Sequence, residues 1–311
     1  MNGISYKEAL DILKTDNESE LSDIFKRASE SRRKYFGAGI TTCAIINARS
    51  GGCSENCSFC AQSKISKAVF KSYPLVSEKK IFKSAEVASK NKVSHFSIVT
   101  SGRSVKISKD LNTICRAIKK ISAELPVIPC ASLGILEKEV FGKLKDAGLK
   151  RYHHNLETAG TYFNKICGTR TYKDQIDTVH RAKENGLSVC SGGIFGLGET
   201  KEQRVELLET IRCLDIDSVP INFLNPIPGT KLEDLNELTP MECLKIIAAA
   251  RLMMPRKNIR ICGGRERNLK DFQSCIFSAG ADALMIGNYL VTSGRDIAAD
   301  MKMIEDAGLH L

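Results

Sequence analysis

The segment ITTCAIINARSGGCSENCSFCAQS, residues 40–63, joins a predicted β-strand to a loop that contains three cysteines. The strand is ITTCAII, residues 40–46, and Cys53, Cys57 and Cys60 have the spacing C-x3-C-x2-C. Three thiols are one fewer than a closed structural zinc site uses. Three thiolates can instead hold three irons of a [4Fe–4S] cluster and leave the fourth iron open to another ligand. A zinc site with a distant fourth ligand is the alternative.

Further strand candidates follow this one and alternate with amphipathic helices. They are residues 94–100, 126–132, 150–157, 187–195, 217–224, 258–264 and 283–290. In residues 109–125, between two of them, Leu111, Ile114, Ile118 and Ile121 recur at helical spacing. Strands that are each followed by a helix predict an α/β fold, a (β/α)8 TIM-type barrel. An open doubly wound sheet is the alternative. The barrel is favoured because the chemically reactive residues follow many different strands.

The first residues of the chain are predicted to form a helical extension outside this barrel. One helix is expected over residues 6–14 and a second over residues 19–35. No linker rich in Gly, Pro or Ser divides the chain. We therefore expect a single domain over residues 1–311, with N-terminal helices in residues 1–36 and the barrel in residues 37–311.

Composition limits the classes of protein to which the chain could belong. No run of 18 apolar residues and no secretory signal are found, so we expect a cytoplasmic protein that does not enter a membrane. Twelve cysteines in a reducing compartment favour metal or cluster ligation over disulfides. The net charge of +10 comes from scattered Lys and Arg, a pattern that favours solubility over nucleic-acid binding.

The three-cysteine loop after the first strand resembles the signature of radical S-adenosylmethionine (SAM) enzymes. The resemblance implies that the amino and carboxylate groups of SAM bind the open iron. It also implies that one electron from the cluster cleaves SAM to a 5′-deoxyadenosyl radical. Phe59, the aromatic residue within the motif, would then lie beside the adenine.

Longer stretches of the chain resemble one family within this superfamily, the biotin synthases. They are YHHNLET (152–158), VCSGGIFGLGET (189–200), SVPINFLNPIPGT (218–230), RLMMP (251–255) and IRICGGRE (259–266). The resemblance covers about residues 35–311 and implies insertion of sulfur into dethiobiotin. It also implies a homodimer, and an electron donor such as a flavodoxin or a ferredoxin.

Five polar residues are candidates for binding SAM and substrate. Glu157 is expected to end a strand and accept the ribose hydroxyls of SAM, with a surface charge as the alternative. Asn155, two residues earlier on the same strand face, would bind the ribose or the ureido ring of dethiobiotin. Asn222 would bind that ureido ring, because an amide can both donate and accept. By resemblance, Thr292 and Ser293 hold the valeryl carboxylate; a helix cap is the alternative.

Two other polar residues are expected to have structural roles. Arg170 is expected at the surface, although it could pair with the methionyl carboxylate of SAM. His153 stands where the family has Asn, and a lone His is more often structural.

The resemblance also implies an auxiliary iron–sulfur cluster that supplies the sulfur. In the family it is a [2Fe–2S] cluster held by three Cys and one Arg. Cys130 and Cys190 match two of those cysteines, and Arg260 matches the arginine. The third family cysteine falls at Ser97, so the usual ligand set is incomplete in this chain.

Two further cysteines can complete the set. Cys43 lies in the first strand, and Cys262 lies two residues after Arg260, so both are expected to point into the barrel. We infer an all-thiolate auxiliary site of Cys43, Cys130, Cys190 and Cys262, with Arg260 beside it. Four thiolates favour a four-iron cluster, with an extra sulfide as the sulfur to be donated. A [2Fe–2S] cluster is the alternative. Cys43 and Cys262 could also simply be buried side chains that fill apolar space.

Three rival functions remain at this point. A maturase for the [FeFe]-hydrogenase, or an amino-acid mutase, would share the barrel and the cysteine loop without needing Asn222 and the four inward thiols together. A nucleic-acid sulfur-inserting enzyme would usually carry an RNA-binding segment, which we do not find. A metal-binding scaffold without activity would not cleave SAM.

Overall fold

Parallel strands form a closed barrel at the centre of the molecule, in a computed structural model that describes residues 3–236 and 238–311. The strands are β1 (Thr41–Arg49), β2 (His95–Thr100), β3 (Ile128–Ser132), β4 (Arg151–His153), β5 (Ser188–Cys190), β6 (Gly193–Phe195), β7 (Ser218–Phe223), β8 (Asn258–Ile261) and β9 (Ala283–Met285). Their order is β5-β4-β3-β2-β1-β9-β8-β7-β6, and a pairing of Cys190 with Ser218 joins β5 to β7 and closes the sheet. The predicted TIM-type barrel is confirmed.

The fifth strand of the barrel is interrupted, so that β5 and β6 are its two halves. The break falls at Ser191 and Gly192, within the single strand predicted over residues 187–195. A Cβ atom on Gly192 would lie 2.0 Å from the Pro220 carbonyl oxygen, and one on Gly193 would lie 2.5 Å from that of Glu157. Because these two glycines lack a Cβ atom, their backbone can lie directly against the backbone of Pro220 and Glu157.

Helices surround the barrel. They are α1 (Tyr6–Lys14), α2 (Glu18–Phe36), α3 (Glu78–Lys90), α4 (Lys109–Glu124), α5 (Lys138–Asp146), α6 (Gly160–Ile166), α7 (Tyr172–Glu184), α8 (Lys201–Cys213), α9 (Pro240–Met253), α10 (Arg265–Leu269), α11 (Cys275–Ser278) and α12 (Ile297–Asp306). In α4, the residues predicted from their spacing, among them Leu111 and Ile114, are fully buried. No helix in the described part of the chain is long and apolar enough to span a membrane.

The helical extension lies outside the barrel, as predicted. Both α1 and α2 pack against α9, and α1 also packs against α8. Helix α9 is buried from Cys243 to Met253 because it lies between the barrel and this extension. A helix that is apolar on most of its faces requires such burial.

Polar side chains and thiols fill much of the barrel interior. Cys43, Ser97, Cys130, Cys190 and Arg260 are all buried in the strands. Barrels of this type are usually filled with Val, Ile and Leu. An interior of thiols and an arginine costs stability unless a bound group or matched partners compensate, so it indicates a functional site.

Candidate active site

The three-cysteine loop (residues 50–63) follows β1 and is held in shape by its own hydrogen bonds. The Gln62 side chain accepts from the Gly51 amide at 2.8 Å and so ties the two ends of the loop together. The Cys60 amide donates to the Cys57 carbonyl at 3.2 Å, and the Ser63 amide donates to the Cys60 carbonyl at 3.1 Å. These turns fix the backbone around Cys57 and Cys60.

The loop thiols differ in their surroundings. Cys57 is buried and Cys53 and Cys60 are half-buried. Burial raises the pKa of Cys60 to about 11. A hydrogen bond with Cys167, whose sulfur is 3.8 Å away, raises the pKa of Cys57 and lowers that of Cys167 to about 5. Ligation to iron must therefore displace protons from these thiols.

In residues 3–236 and 238–311, no three Cys, His, Asp or Glu side chains converge as ligands of one metal ion. An iron–sulfur cluster does not require such convergence, because each cysteine binds a different iron. Three thiols in one loop are a donor set that suits such a cluster.

A second segment, residues 167–170, fixes the three-cysteine loop from the side. The Asn56 side chain accepts from the Gly168 amide at 2.9 Å and the Thr169 amide at 3.2 Å. Glu55, only 2% exposed, accepts from the Thr169 hydroxyl at 2.8 Å and from Arg103 at 3.3 Å. The sequence did not reveal these residues as a group, because the contacts with residues 168 and 169 join positions more than 100 residues apart.

Glu157 and Asn155 lie beyond the end of β4 rather than within it, so the predicted strand to residue 157 is wrong. β4 ends at His153, and Glu157 has a φ of 71°. Asn155 and Glu157 therefore do not share a strand face. Their side chains nevertheless interact, because Asn155 acts to lower the pKa of the Glu157 carboxylate. The Glu157 backbone is fixed by the Ile194 amide, which donates to its carbonyl at 2.7 Å.

Arg170 links Glu157 to the cysteine loop, so its predicted surface location is wrong. Its side chain is 13% exposed, with Nη2 at 3.6 Å from Glu157 and Nη1 at 3.9 Å from Glu55. Burial raises the pKa of Glu157, and Arg170 acts in the opposite direction. The guanidinium therefore favours the carboxylate form of Glu157, the form that accepts hydroxyl hydrogens.

The interior thiols (Cys43, Cys130, Cys190 and Cys262) all lie in or beside barrel strands and are buried. The Cys43 and Cys262 thiols act on each other, and this interaction lowers the pKa of Cys43 to about 6 and raises that of Cys262. Burial raises the pKa of Cys130 to about 12 and raises that of Cys190, and the charge of Cys43 acts on both. The structure thus places Cys43 near the other three thiols.

Arg260 lies next to the interior thiols and has a nitrogen without a partner. Its Nη2 donates to Thr41 at 3.3 Å and to Asn258 at 3.1 Å. Nη1 is buried and has no hydrogen-bond partner among the described residues. Its charge also acts on Cys43 and Cys190. A buried guanidinium facing thiols fits a bound group that is anionic, as a thiolate-ligated cluster is.

The two departures from the family pattern, Ser97 and His153, lie side by side in the barrel. The Ser97 hydroxyl is 3.5 Å from His153 Nδ1. His154 points the other way and contacts Gln175 of α7 at 3.2 Å. The two neighbouring histidines therefore point to different sides of the chain.

Asn222 and Phe59 lie at the carboxyl-terminal end of the parallel strands, which is the mouth of the barrel. Asn222 in β7 donates to the Gly193 carbonyl at 3.1 Å and accepts from the Gly263 amide at 3.0 Å. Within the described residues, these contacts leave one amide hydrogen and one lone pair for a ligand. Phe59 packs beside Cys57 and Phe163.

Thr292 and Ser293 lie in the loop after β9. The N-cap of α12 is Asp296, so the alternative that Thr292 or Ser293 caps this helix is wrong. The Thr292 carbonyl accepts from the Tyr289 amide at 3.0 Å, which folds the loop back on itself.

Comparison with known proteins identifies the family. The chain is 49% identical over 306 residues to a biotin synthase of Geotalea uraniireducens, covering 98% of this chain and 93% of that protein. It is 49% identical over 291 residues to a biotin synthase of Geobacter sulfurreducens, covering 94% and 88%. The chain belongs to the biotin synthase family. The sequence resemblance is thereby confirmed.

Two family models agree with this membership. Residues 48–211 match the Radical SAM superfamily and residues 220–310 match the Biotin and Thiamin Synthesis associated domain. A biotin synthase of this superfamily uses a [4Fe–4S] cluster and SAM, and it also has an auxiliary cluster. The rivals outside the family are thereby excluded.

Solved structures share the fold at low identity. The crystal structure of methylornithine synthase has a TM-score of 0.86 at 20% identity, covering 99% of this chain and 94% of that chain. The [FeFe]-hydrogenase maturase HydG has a TM-score of 0.83 at 17% identity, covering 99% and 72%. This likeness supports the barrel and says nothing of the substrate.

Proposed function

We propose that this member of the biotin synthase family inserts sulfur between two carbons of dethiobiotin to form biotin, using an all-thiolate auxiliary site. Family membership over nearly the whole chain supports the reaction and the substrate. The observation that carries the auxiliary site is the group of interior thiols beside Arg260, whose Nη1 lacks a partner.

Cys53, Cys57 and Cys60 would hold the [4Fe–4S] cluster, which together with SAM supplies one-electron radical chemistry when bound. The protein's part is to fix the loop and to bind the adenosyl group. Glu157 would accept both ribose hydroxyls, with Asn155 orienting its carboxylate and Arg170 keeping it charged. Phe59 would pack against the adenine.

Cys43, Cys130, Cys190 and Cys262 would hold the auxiliary cluster, which supplies the sulfur. Four thiolates suit a four-iron cluster with an extra sulfide better than a two-iron cluster that has an arginine ligand, and a [2Fe–2S] cluster remains the alternative. Arg260 is proposed to stand beside the cluster, where its unpaired Nη1 offsets negative charge and donates a hydrogen bond. The interior of the barrel keeps bulk water away from these thiols, since each is buried.

Dethiobiotin is proposed to bind at the mouth of the barrel, between the two centres. Asn222 would both donate to and accept from its ureido ring, with Asn155 as a second amide. Thr292 and Ser293 would hold the valeryl carboxylate from the loop after β9. Because Asn222 also contacts Gly193 and Gly263, the ureido group would be held by a side chain that is already fixed.

Anaerobic incubation with dethiobiotin, SAM and a reductant tests the reaction, and biotin is the expected product. SAM cleavage without biotin would contradict the proposed substrate. Mössbauer spectra test the auxiliary site: a four-iron signal should disappear in Cys43→Ala and Cys262→Ala while the SAM-responsive loop cluster remains. Cys243→Ala, which removes a buried thiol of α9, is the matched control. An auxiliary spectrum that is purely [2Fe–2S] would contradict the four-iron proposal.

Four other expectations stay predictions. They are a homodimer, a flavodoxin or ferredoxin as electron donor, the absence of nucleic-acid binding, and a cytoplasmic location. We also propose that residues 1–311 form one domain, because strands from both family-model regions, such as β1 and β8, belong to one closed sheet.

A further inference from the structure

We propose that Cys167 is a positioning residue for the loop cluster: its thiol donates a hydrogen bond to the Cys57 sulfur and makes the cluster easier to reduce. The inference rests on the proposed function, since it takes Cys57 to be an iron ligand. Neither the cysteine motif nor the interior thiols include Cys167.

The two sulfurs are in direct contact inside the protein. Cys167 Sγ lies 3.8 Å from Cys57 Sγ, within the range of a sulfur hydrogen bond. Cys167 is 2% exposed, and Phe163 packs against both residues. Water is thus kept from competing for this hydrogen bond.

Ligation sets the direction of the hydrogen bond. Without iron, Cys57 donates this hydrogen bond and Cys167 accepts it. A cysteine binds iron as the thiolate, so with the cluster bound the Cys57 sulfur can only accept. The hydrogen must then come from the Cys167 thiol.

Other acceptors near Cys167 are already engaged. Asn56 Oδ1 lies 3.5 Å from the Cys167 sulfur. However, the Gly168 and Thr169 amides donate to this oxygen at 2.9 and 3.2 Å and fill its two lone pairs. The Thr169 hydroxyl lies 3.6 Å away; it donates to Glu55 at 2.8 Å, and the Asn56 amide uses one of its two lone pairs at 3.1 Å. The Cys57 thiolate, which is negatively charged, is therefore the favoured acceptor.

The expected effect is on the reduction potential of the loop cluster. Hydrogen bonds to the sulfurs of a cluster stabilise the added electron and raise the potential. Cys60 receives its hydrogen bond from the Gln62 backbone amide, which a side-chain substitution leaves in place. The hydrogen bond from Cys167 comes from a side chain and can be removed by one substitution.

The test compares Cys167→Ala with Cys167→Ser in redox titrations followed by electron paramagnetic resonance. The signal followed is the one that responds to SAM, which identifies the loop cluster. Cys167→Ala should shift the potential to more negative values and lower the ratio of reduced to oxidised cluster at fixed potential about threefold to tenfold. Cys167→Ser should keep most of the wild-type potential, because a hydroxyl also donates.

A second readout detects the hydrogen directly. Electron–nuclear double resonance of the reduced cluster should show an exchangeable hydrogen that is present in the wild type and in Cys167→Ser but absent in Cys167→Ala. Cys243→Ala controls for the loss of a buried thiol elsewhere.

Three results would overturn the inference. A potential in Cys167→Ala equal to that of Cys243→Ala would contradict the hydrogen bond. Equal shifts in Cys167→Ala and Cys167→Ser would assign Cys167 to packing alone. A wild-type protein without any SAM-responsive signal would overturn the proposed function, and the inference with it.

Discussion

Replacing Arg170 with Met should destabilise the protein, because the poorly exposed Glu157 depends on this cation and the buried Glu55 shares it with Arg103. Glu55 is 3% and Glu157 18% exposed at the side chain, and the guanidinium nitrogens lie 3.9 and 3.6 Å from them. At an effective dielectric constant of 20, each attraction is about 4–5 kcal/mol. Part of this lost attraction is offset, because the variant no longer has to bury a charged guanidinium. Breaking a buried ion pair typically costs about 3–5 kcal/mol, and the residual exposure here suggests about 3 kcal/mol.

The assay is urea denaturation of the cluster-free chain with its thiols reduced, analysed by linear extrapolation. The matched control is Arg116→Met, which breaks an exposed pair with Glu78 in which Arg116 is 60% exposed. Such pairs are worth about 0–1 kcal/mol. Arg170→Lys should recover part of the loss because it restores the charge. If Arg170→Met and Arg116→Met unfold within about 1 kcal/mol of each other, the reasoning about this cation is wrong.

Three further substitutions have defined expected outcomes. Glu157→Gln should weaken SAM binding about tenfold in anaerobic equilibrium dialysis, since a carboxylate makes stronger hydrogen bonds to hydroxyls than an amide does. Asp282→Asn should lower the free energy of unfolding by about 3–5 kcal/mol in urea, because it leaves the fully buried Arg251 without its counter-charge. His154→Gln should reduce the loss of stability in acid. Burial lowers the pKa of His154 to about 3 in the folded protein, whereas a histidine of the unfolded chain has a pKa of about 6.5. Between these two pH values only the unfolded chain binds the proton. Stability should therefore fall as the pH drops through this window, by up to about 1.4 kcal/mol per pH unit for this group.

Exposed residues of the same types supply the controls. Asp177→Asn breaks a surface pair with Lys173, and His180→Gln replaces an exposed histidine of α7. Both should leave the free energy of unfolding within about 0.5 kcal/mol of the wild type. An unchanged pH profile in His154→Gln would contradict the assigned effect of burial. Unchanged SAM affinity in Glu157→Gln would contradict the proposed ribose contact.

The barrel could be predicted from the sequence because its signals are local. Strand positions followed from short β-rich runs, and the buried face of α4 followed from the spacing of Leu111, Ile114, Ile118 and Ile121. The start of α8 is another local signal, because Thr200 and Gln203, three residues apart, form a capping box there. Each of these features depends on residues within one turn or one strand.

The surroundings of the candidate site could not be predicted in the same way. Arg170 looked like a surface residue, because nothing nearby in the sequence shows that Glu55 and Glu157 pack on either side of it. The strand through residue 157 was wrong because Gly193 meets the Glu157 carbonyl there and the backbone turns to a positive φ. The contact between Cys57 and Cys167 could not be predicted, because the two residues are more than 100 positions apart in the chain.

The bonds between the cysteine loop and residues 167–170 also constrain the order of assembly during synthesis. A nascent chain that has not yet reached residue 168 lacks Gly168 and Thr169, which hold Asn56 and Glu55 in place. The metal ligands would then be translated early but positioned late, so iron loading would follow emergence of the middle of the chain from the ribosome. A truncated chain ending at residue 166 should accordingly take up iron at these thiols more weakly than the complete protein. Equal uptake would show that the loop folds independently.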